Sequence, residues 1–341
     1  MTDPSPADAF RRADLLVELR RPEEAARVLR EALSVHPGRA DLWGQLSMAL
    51  LAADRAEEAY EAATARIRLA PDSEWGFRLA SLALTGLGRH AEATRAAEAS
   101  VRLAPEEWRT HARLARALAD SGRATEGWAA AGRAVALAPE EPETHMAVGA
   151  VAIGRRDWAT AERAYRHVLG LEPSNAAAQN NLALVTLQRG AVADAVAGFA
   201  DAVATDPAVD EARRNLETTL RVGVGRLLLA QFLVALLARL SLPSEAYGRY
   251  AAVAVAGTVA GLGAYARLRW RMLPASVRAY ALSLARTERR HRLLAVAAAA
   301  GFTALVAAAT AGAVGQGSAA TVAAYAALAC TAAAGALATR L

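Results

Sequence analysis

The chain runs to 341 residues, more than half of them apolar, with a formal net charge of +5 and a single cysteine. One cysteine excludes an intramolecular disulfide framework, and the length leaves room for more than one domain. The charge is split: residues 1–220 hold 26 Arg against 32 acids, net −6, whereas residues 221–341 hold 13 Arg against two acids, net +11. The basic part is also the most hydrophobic, so membrane topology accounts for the charge better than nucleic-acid binding does. Every basic residue is Arg and none is Lys, a bias that, with so much alanine, fits a GC-rich bacterial genome.

From the N-terminus the first pattern is a period. Pro37, Pro71, Pro105, Pro139, Pro173 and Pro207 follow one another at 34 residues. With each proline set as position 32 of its unit, position 20 reads Ala25, Ala59, Ala93, Gly127, Ala161 and Ala195, and position 8 reads Ala13, Ser47, Ser81, Ala115, Gly149 and Ala183. Small residues in both columns let two antiparallel helices approach closely. Position 28 is always branched and apolar (Leu33, Ile67, Val101, Val135, Leu169, Val203), and the proline then lacks the donor that would continue the helix.

These columns make residues 6–209 resemble six units of the tetratricopeptide repeat family. The resemblance implies an all-α solenoid of helical hairpins whose first helices line a concave binding face. One column departs from the pattern: position 24 is Leu29, Tyr165 and Phe199 in three units but Ala63, Ala97 and Ala131 in the middle three, which are expected to pack less tightly or to lean on a partner. Residues 210–220 continue as a polar helix, the expected cap on an otherwise open apolar end. The array and its cap make one domain, 1–220.

The second domain, 221–341, holds four apolar stretches. Leu293–Val314 and Ala319–Thr339 are long enough to cross a hydrocarbon core of roughly 30 Å and are separated by Gly315–Ser318, a tight hairpin turn. Tyr250–Ala266 is shorter, and Val222–Leu242 requires Arg226 and Arg239 to snorkel, so a span and an interfacial segment both fit it. Between the second and third stretches lie Arg267, Arg269, Arg271, Arg278, Arg286, Arg289, Arg290 and Arg292 against Glu288 alone. Positive loops stay inside, which puts both termini and the repeats in the cytoplasm, with the protein multi-pass in the cytoplasmic membrane. Residues 1–12 have acids and no apolar core, so the first span is expected to serve as the insertion signal.

Within the basic segment, Pro274 opens a stretch in which Val277, Tyr280, Ala281 and Leu284 share one helical face. A helix lying in the membrane plane, with Arg278 and Arg286 toward anionic headgroups, and a plain extension into the third span both fit. Gly257 and Gly261 form a G-x-x-x-G pair that serves either packing within the chain or a homo-oligomer through membrane helices.

Catalytic constellations are missing from the sequence. Cys330 lies in an alanine-rich stretch as a small apolar residue. His36, His90, His111, His145, His167 and His291 lack metal-ligand spacing, and His111 and His145, at position 4 of neighbouring units, are expected to pack rather than ligate. No phosphate loop or nucleophile elbow appears. No cofactor or metal is implied.

What remains is the face that the resemblance implies as concave, with positions 2, 5, 6 and 9 inward. Those positions carry Arg78, Arg109, Arg113 and Arg116 from units three and four, and Asn180 and Asn181 from unit six. Arg forks suit carboxylates, and Asn pairs with an extended backbone in both directions. The set is similar to the family's peptide-carboxylate clamp in geometry, without its lysines or residue order. The other reading is a set of solvated arginines paired with Glu106, Glu107 or Glu143. The whole reads as a non-enzymatic, membrane-anchored scaffold binding protein partners or peptide tails, with no nucleic acid. Its rival, a small transporter or intramembrane enzyme regulated by the repeats, needs polar groups in the spans, where only Gln231 and flanking arginines stand.

Overall fold

The computed structural model describes residues 5–207, 209, 211–220 and 222–223. The chain divides into two compact units, Met1–Ser174 and Asn175–Leu341, so the first break falls between the fifth and sixth repeats. Unit one carries five helical hairpins: α1 (Pro6–Glu18) with α2 (Pro22–Val35), α3 (Ala40–Ala52) with α4 (Ala56–Leu69), α5 (Glu74–Gly86) with α6 (His90–Leu103), α7 (Trp108–Asp120) with α8 (Ala124–Leu137), and α9 (Pro142–Gly154) with α10 (Trp158–Leu171). Unit two carries α11 (Ala176–Gln188), α12 (Val192–Thr205) and a last described helix, α13 (residues 211–220). Each first helix has 13 residues and each second helix 14, the regularity that the proline period predicts.

The turn inside each hairpin is set at position 15, a column that the small-residue pattern does not reveal. Arg20, Asp54, Gly88, Gly122, Arg156 and Gly190 all have positive φ, from 57° to 87°. The chain reverses there by the Schellman route, with the next amide bonding back to position 11: Arg21 N to Leu16 O at 2.7 Å, Arg123 N to Leu118 O at 2.7 Å and Asp157 N to Ala152 O at 2.8 Å. Glycine takes this conformation freely, while the Arg and Asp residues bear about 1–2 kcal/mol of backbone strain each.

The proline turn between hairpins is closed from position 4. Trp43 Nε1 donates to the Pro37 carbonyl at 3.0 Å, and the Nε2 atoms of His111 and His145 bond the Pro105 and Pro139 carbonyls at 2.8 and 2.7 Å. A carbonyl only accepts, so each imidazole carries its proton on Nε2. The histidines therefore hold turns, as the packing expectation for them required. Arg213 donates to Pro207 at 2.8 Å in the same way.

Close approach in the two small columns is direct. Ser47 Oγ at position 8 donates to the Ala59 carbonyl at position 20 across 2.8 Å. A methyl group at Gly127 would lie 3.0 Å from the Ala115 carbonyl, and one at Gly149 2.5 Å from Tyr165 Cζ. Ala63, Ala97 and Ala131 are as completely enclosed as Tyr165 and Phe199, which corrects the expectation of looser middle repeats. Two things close the space. Around Gly127 the backbones of α7 and α8 come together, and beside Ala63 the Trp75 ring from the next repeat lies over Gly44, its near face covered by the Arg66 guanidinium at 4.2 Å.

In unit two, α13 places Leu216, wholly buried, against Ala183, Ala195, Val196 and Phe199, as expected of a cap. Apart from residues 222 and 223, the four apolar stretches (222–242, 250–266, 293–314, 319–339), the arginine-rich segment, Gly257, Gly261, Cys330 and His291 lie outside the described residues. Among the described residues, no helix is long and apolar enough to cross a membrane.

Candidate functional site

In unit one the first helices pack side by side, α5 on α7 and α7 on α9, so side chains at equivalent positions of successive repeats share a face. Arg78 comes from α5 and Arg109, Arg113 and Arg116 from α7, all on that face. Their environments differ sharply. Arg78 is held by Glu74 of its own helix, with Nε to Oε2 at 3.1 Å. Arg109 pairs with Glu107 at 3.1 Å and stacks on Trp108 at 4.3 Å. The Glu107 carboxylate also caps α7 by accepting from Arg109 N.

Arg113 is buried, 4% exposed. One terminal nitrogen donates to Thr85 Oγ1 of α5 at 2.9 Å and stands 3.6 Å from Asp120. Its Nε is buried without a hydrogen-bond partner among the described residues. Desolvation, with the neighbouring Arg116 charge next, lowers its pKa to about 10, partly opposed by Asp120 and Glu143. It is still a cation at neutral pH. Arg116, half-buried one turn further on, makes no hydrogen bond or ion pair among the described residues. Beside it is Tyr165, whose ring crosses Gly149; burial raises that phenol's pKa, while the Arg116 charge acts in the opposite sense. The phenol is therefore neutral and able to donate.

Both sequence-based readings, a carboxylate clamp and arginines paired with Glu106, Glu107 or Glu143, meet these environments. Three of the four have an acid close to them in the chain. Glu107 was foreseen as a partner; Glu74 and Asp120 were not, although Glu74 stands four residues before Arg78, the ordinary spacing of a helical pair. Glu106 is engaged elsewhere, with Arg133 at 2.7 Å, and Glu143 reaches Arg113 only through space. The site thus contracts to Arg113, Arg116, Thr85 and Tyr165. In unit two, Asn180 is 2% exposed, donates to Asn181 Oδ1 at 3.3 Å and accepts from Asn215 Nδ2 of α13 at 3.0 Å. Its amide ties α11 to the cap and is not presented on an open face, which corrects its placement as a peptide contact; Asn181 is half-buried beside it.

Residues 16–77 and 149–212 each match a protein-family model described as tetratricopeptide repeat. The hairpins are tetratricopeptide repeats. No curated protein matches the chain in sequence. Among solved structures, the Cut9–Hcn1 hetero-tetramer of APC/C is similar at 16% identity and TM-score 0.52, over 63% of this chain and 42% of that one, so the chain spans well under half the length of that relative. A thermophilic TPR protein of Thermus thermophilus is similar at 19% identity and TM-score 0.49, over 54% of this chain and all of that one. MamA from Desulfovibrio magneticus RS-1 aligns at 24% identity and TM-score 0.40, over 49% of this chain and 94% of that one. The likeness to Cut9–Hcn1 shows the fold and nothing about the ligand.

In the tetratricopeptide repeats of unit one, the α5–α7–α9 face carries a cluster of cationic side chains. It holds a fixed, buried guanidinium at Arg113, a half-buried guanidinium at Arg116 with no ion pair among the described residues, and the buried, neutral phenol of Tyr165. Among the described residues no group of three or more His, Cys, Asp or Glu is placed to hold a metal ion.

Proposed function

We propose that the tetratricopeptide repeats bind protein partners through an acidic side chain or terminal carboxylate seated at Arg113 and Arg116, as a non-enzymatic scaffold tethered to the cytoplasmic membrane by residues 221–341. The observation that carries the ligand is the half-buried Arg116 guanidinium, which makes no hydrogen bond or ion pair among the described residues, beside the fixed Arg113 cation. A carboxylate at Arg116 would gain a charge-assisted hydrogen bond, the stronger kind. The membrane part rests on composition: an acidic array followed by an apolar segment with 13 Arg and two acids.

The test is to capture partners from lysate of the native cell with wild-type residues 1–220 and with Arg113→Met plus Arg116→Met, then to titrate the captured peptide. Each lost charge-assisted contact should weaken binding by about 1.5–3 kcal/mol, and wild-type affinity should fall with salt. An unchanged partner set at unchanged affinity overturns the proposal. Folding should survive. The Arg113 pKa is depressed on folding, so its burial penalty is full below about pH 10 and is relieved only as pH rises above that. At neutral pH, methionine removes that penalty, and stability should hold or rise.

The tether has its own test. In a Cys330→Ser background, a thiol introduced as Ser318→Cys should react with an impermeant reagent from outside intact cells, and one introduced as Ser276→Cys should not. The reverse pattern would place the repeats outside the cytoplasm.

A further inference from the structure

Position 10 shows what repeat stacking does to a side chain, and where it stops. Ala49, Ala83, Ala117 and Val151 occupy it in repeats two to five and are at most 2% exposed, because the preceding repeat packs against these helices. In α1 the same position is Leu15, at 54% exposure, and Leu19 one turn further is 56% exposed. The core side of α1 lies elsewhere, with Ala9, Ala13 and Leu16 buried against α2 and α3. A second apolar strip, Leu15 on α1 and Leu19 at its C-cap, thus faces out, and at the position of Leu15 the later repeats are covered.

The charges around that strip are self-complementary. At 3.6 residues per turn, Arg12 and Glu18, three residues to either side of Leu15, fall within about 60° of it on the helix. Both are exposed, and neither makes a hydrogen bond or ion pair among the described residues. Asp8 and Arg11, on the same face, already pair with each other. If a second α1 lies antiparallel with Leu15 on the two-fold axis, residue sums across the pair are constant. Arg12 then meets Glu18 of the second copy, twice by symmetry, and Leu19 covers the stem of Arg11. The parallel arrangement instead opposes like charges.

We propose that α1 is a homotypic docking surface, where two copies of this chain pair antiparallel through Leu15 and Leu19 with reciprocal Arg12–Glu18 ion pairs. An isologous contact of this kind is the ordinary way in which a soluble surface closes into a dimer. It uses the stacking face of the array's first helix and is independent of the anion site on α7.

The test uses the full chain in membranes with Cys330→Ser, so that only an introduced thiol reacts. Leu15→Cys should cross-link to a dimer under mild oxidation, whereas Met48→Cys, equally exposed on α3, should not. Adding Arg12→Glu should cut the dimer yield roughly tenfold, since two pairs turn repulsive at once. Adding Glu18→Arg to that variant should restore it. Circular dichroism on each variant shows that α1 remains folded. No Leu15→Cys dimer, a dimer insensitive to Arg12→Glu, a failed charge-swap rescue or a cross-link to a different protein each overturns the proposal.

Discussion

Tyr165→Ala should lower the unfolding free energy of residues 1–220 by about 3–5 kcal/mol, the range for removing a large buried ring. The ring is 1% exposed and fills the fifth hairpin by lying across Gly149, where a methyl group would come within 2.5 Å of Cζ. The two positions are thus one packing unit: glycine at position 8 makes room for tyrosine at position 24. Gly149→Val should also destabilise, by about 1–3 kcal/mol from overpacking. Combined with Tyr165→Ala it should cost less than the sum, because the added methyl groups enter the space that the ring leaves. Tyr165→Phe should cost little. Urea unfolding followed by circular dichroism reads all four variants, and strict additivity in the double variant would show that the two side chains do not share the space.

The second large effect concerns the end of the array. A chain ending at residue 209 should be less stable than one ending at 220 by about 2–5 kcal/mol and should self-associate, whereas the longer form should be soluble and helical. Ala212 and Leu216 are wholly buried, and Leu216 covers Phe199, Val196 and Ala183. The cap also supplies Asn215, whose amide satisfies the Asn180 carbonyl oxygen at 3.0 Å. Without it a buried amide loses a partner while apolar surface meets water. Light scattering and urea midpoints compare the two forms. Equal midpoints, with both monomeric, would mean that α13 caps nothing.

The repeat was legible because its cause is local. A proline every 34 residues ends one helix at the same place each time, and small residues at positions 8 and 20 recur because backbones must approach there. The cap was legible for a related reason: a polar helix directly after the last proline has one apolar end to cover. The left-handed turn at position 15 is not legible in the sequence, because it is a backbone conformation shared by Gly, Arg and Asp. No single residue type marks it.

Side-chain partnerships at the candidate site were decided by tertiary structure. Arg109, Arg113 and Arg116 are equivalent in the sequence, three arginines on one helical face. Packing of α5 against α7 separates them, because Thr85 draws Arg113 inward while Arg109 stays at the helix end with Glu107 and Trp108. Asn180 is the same case, since only the arrival of α13 turns a groove amide into a buried strut. The middle repeats show it again. A column of alanines predicts gaps if each hairpin is considered alone, but close backbone approach in one hairpin and a tryptophan from the next repeat in another close them. The sequence by itself determined the period, the hairpins and the cap, which follow from where backbone hydrogen bonding must break and where apolar area must be covered. Which polar group is spent inside the protein, and which is left for a partner, depends on neighbours brought in from other repeats, and only the tertiary structure decided it.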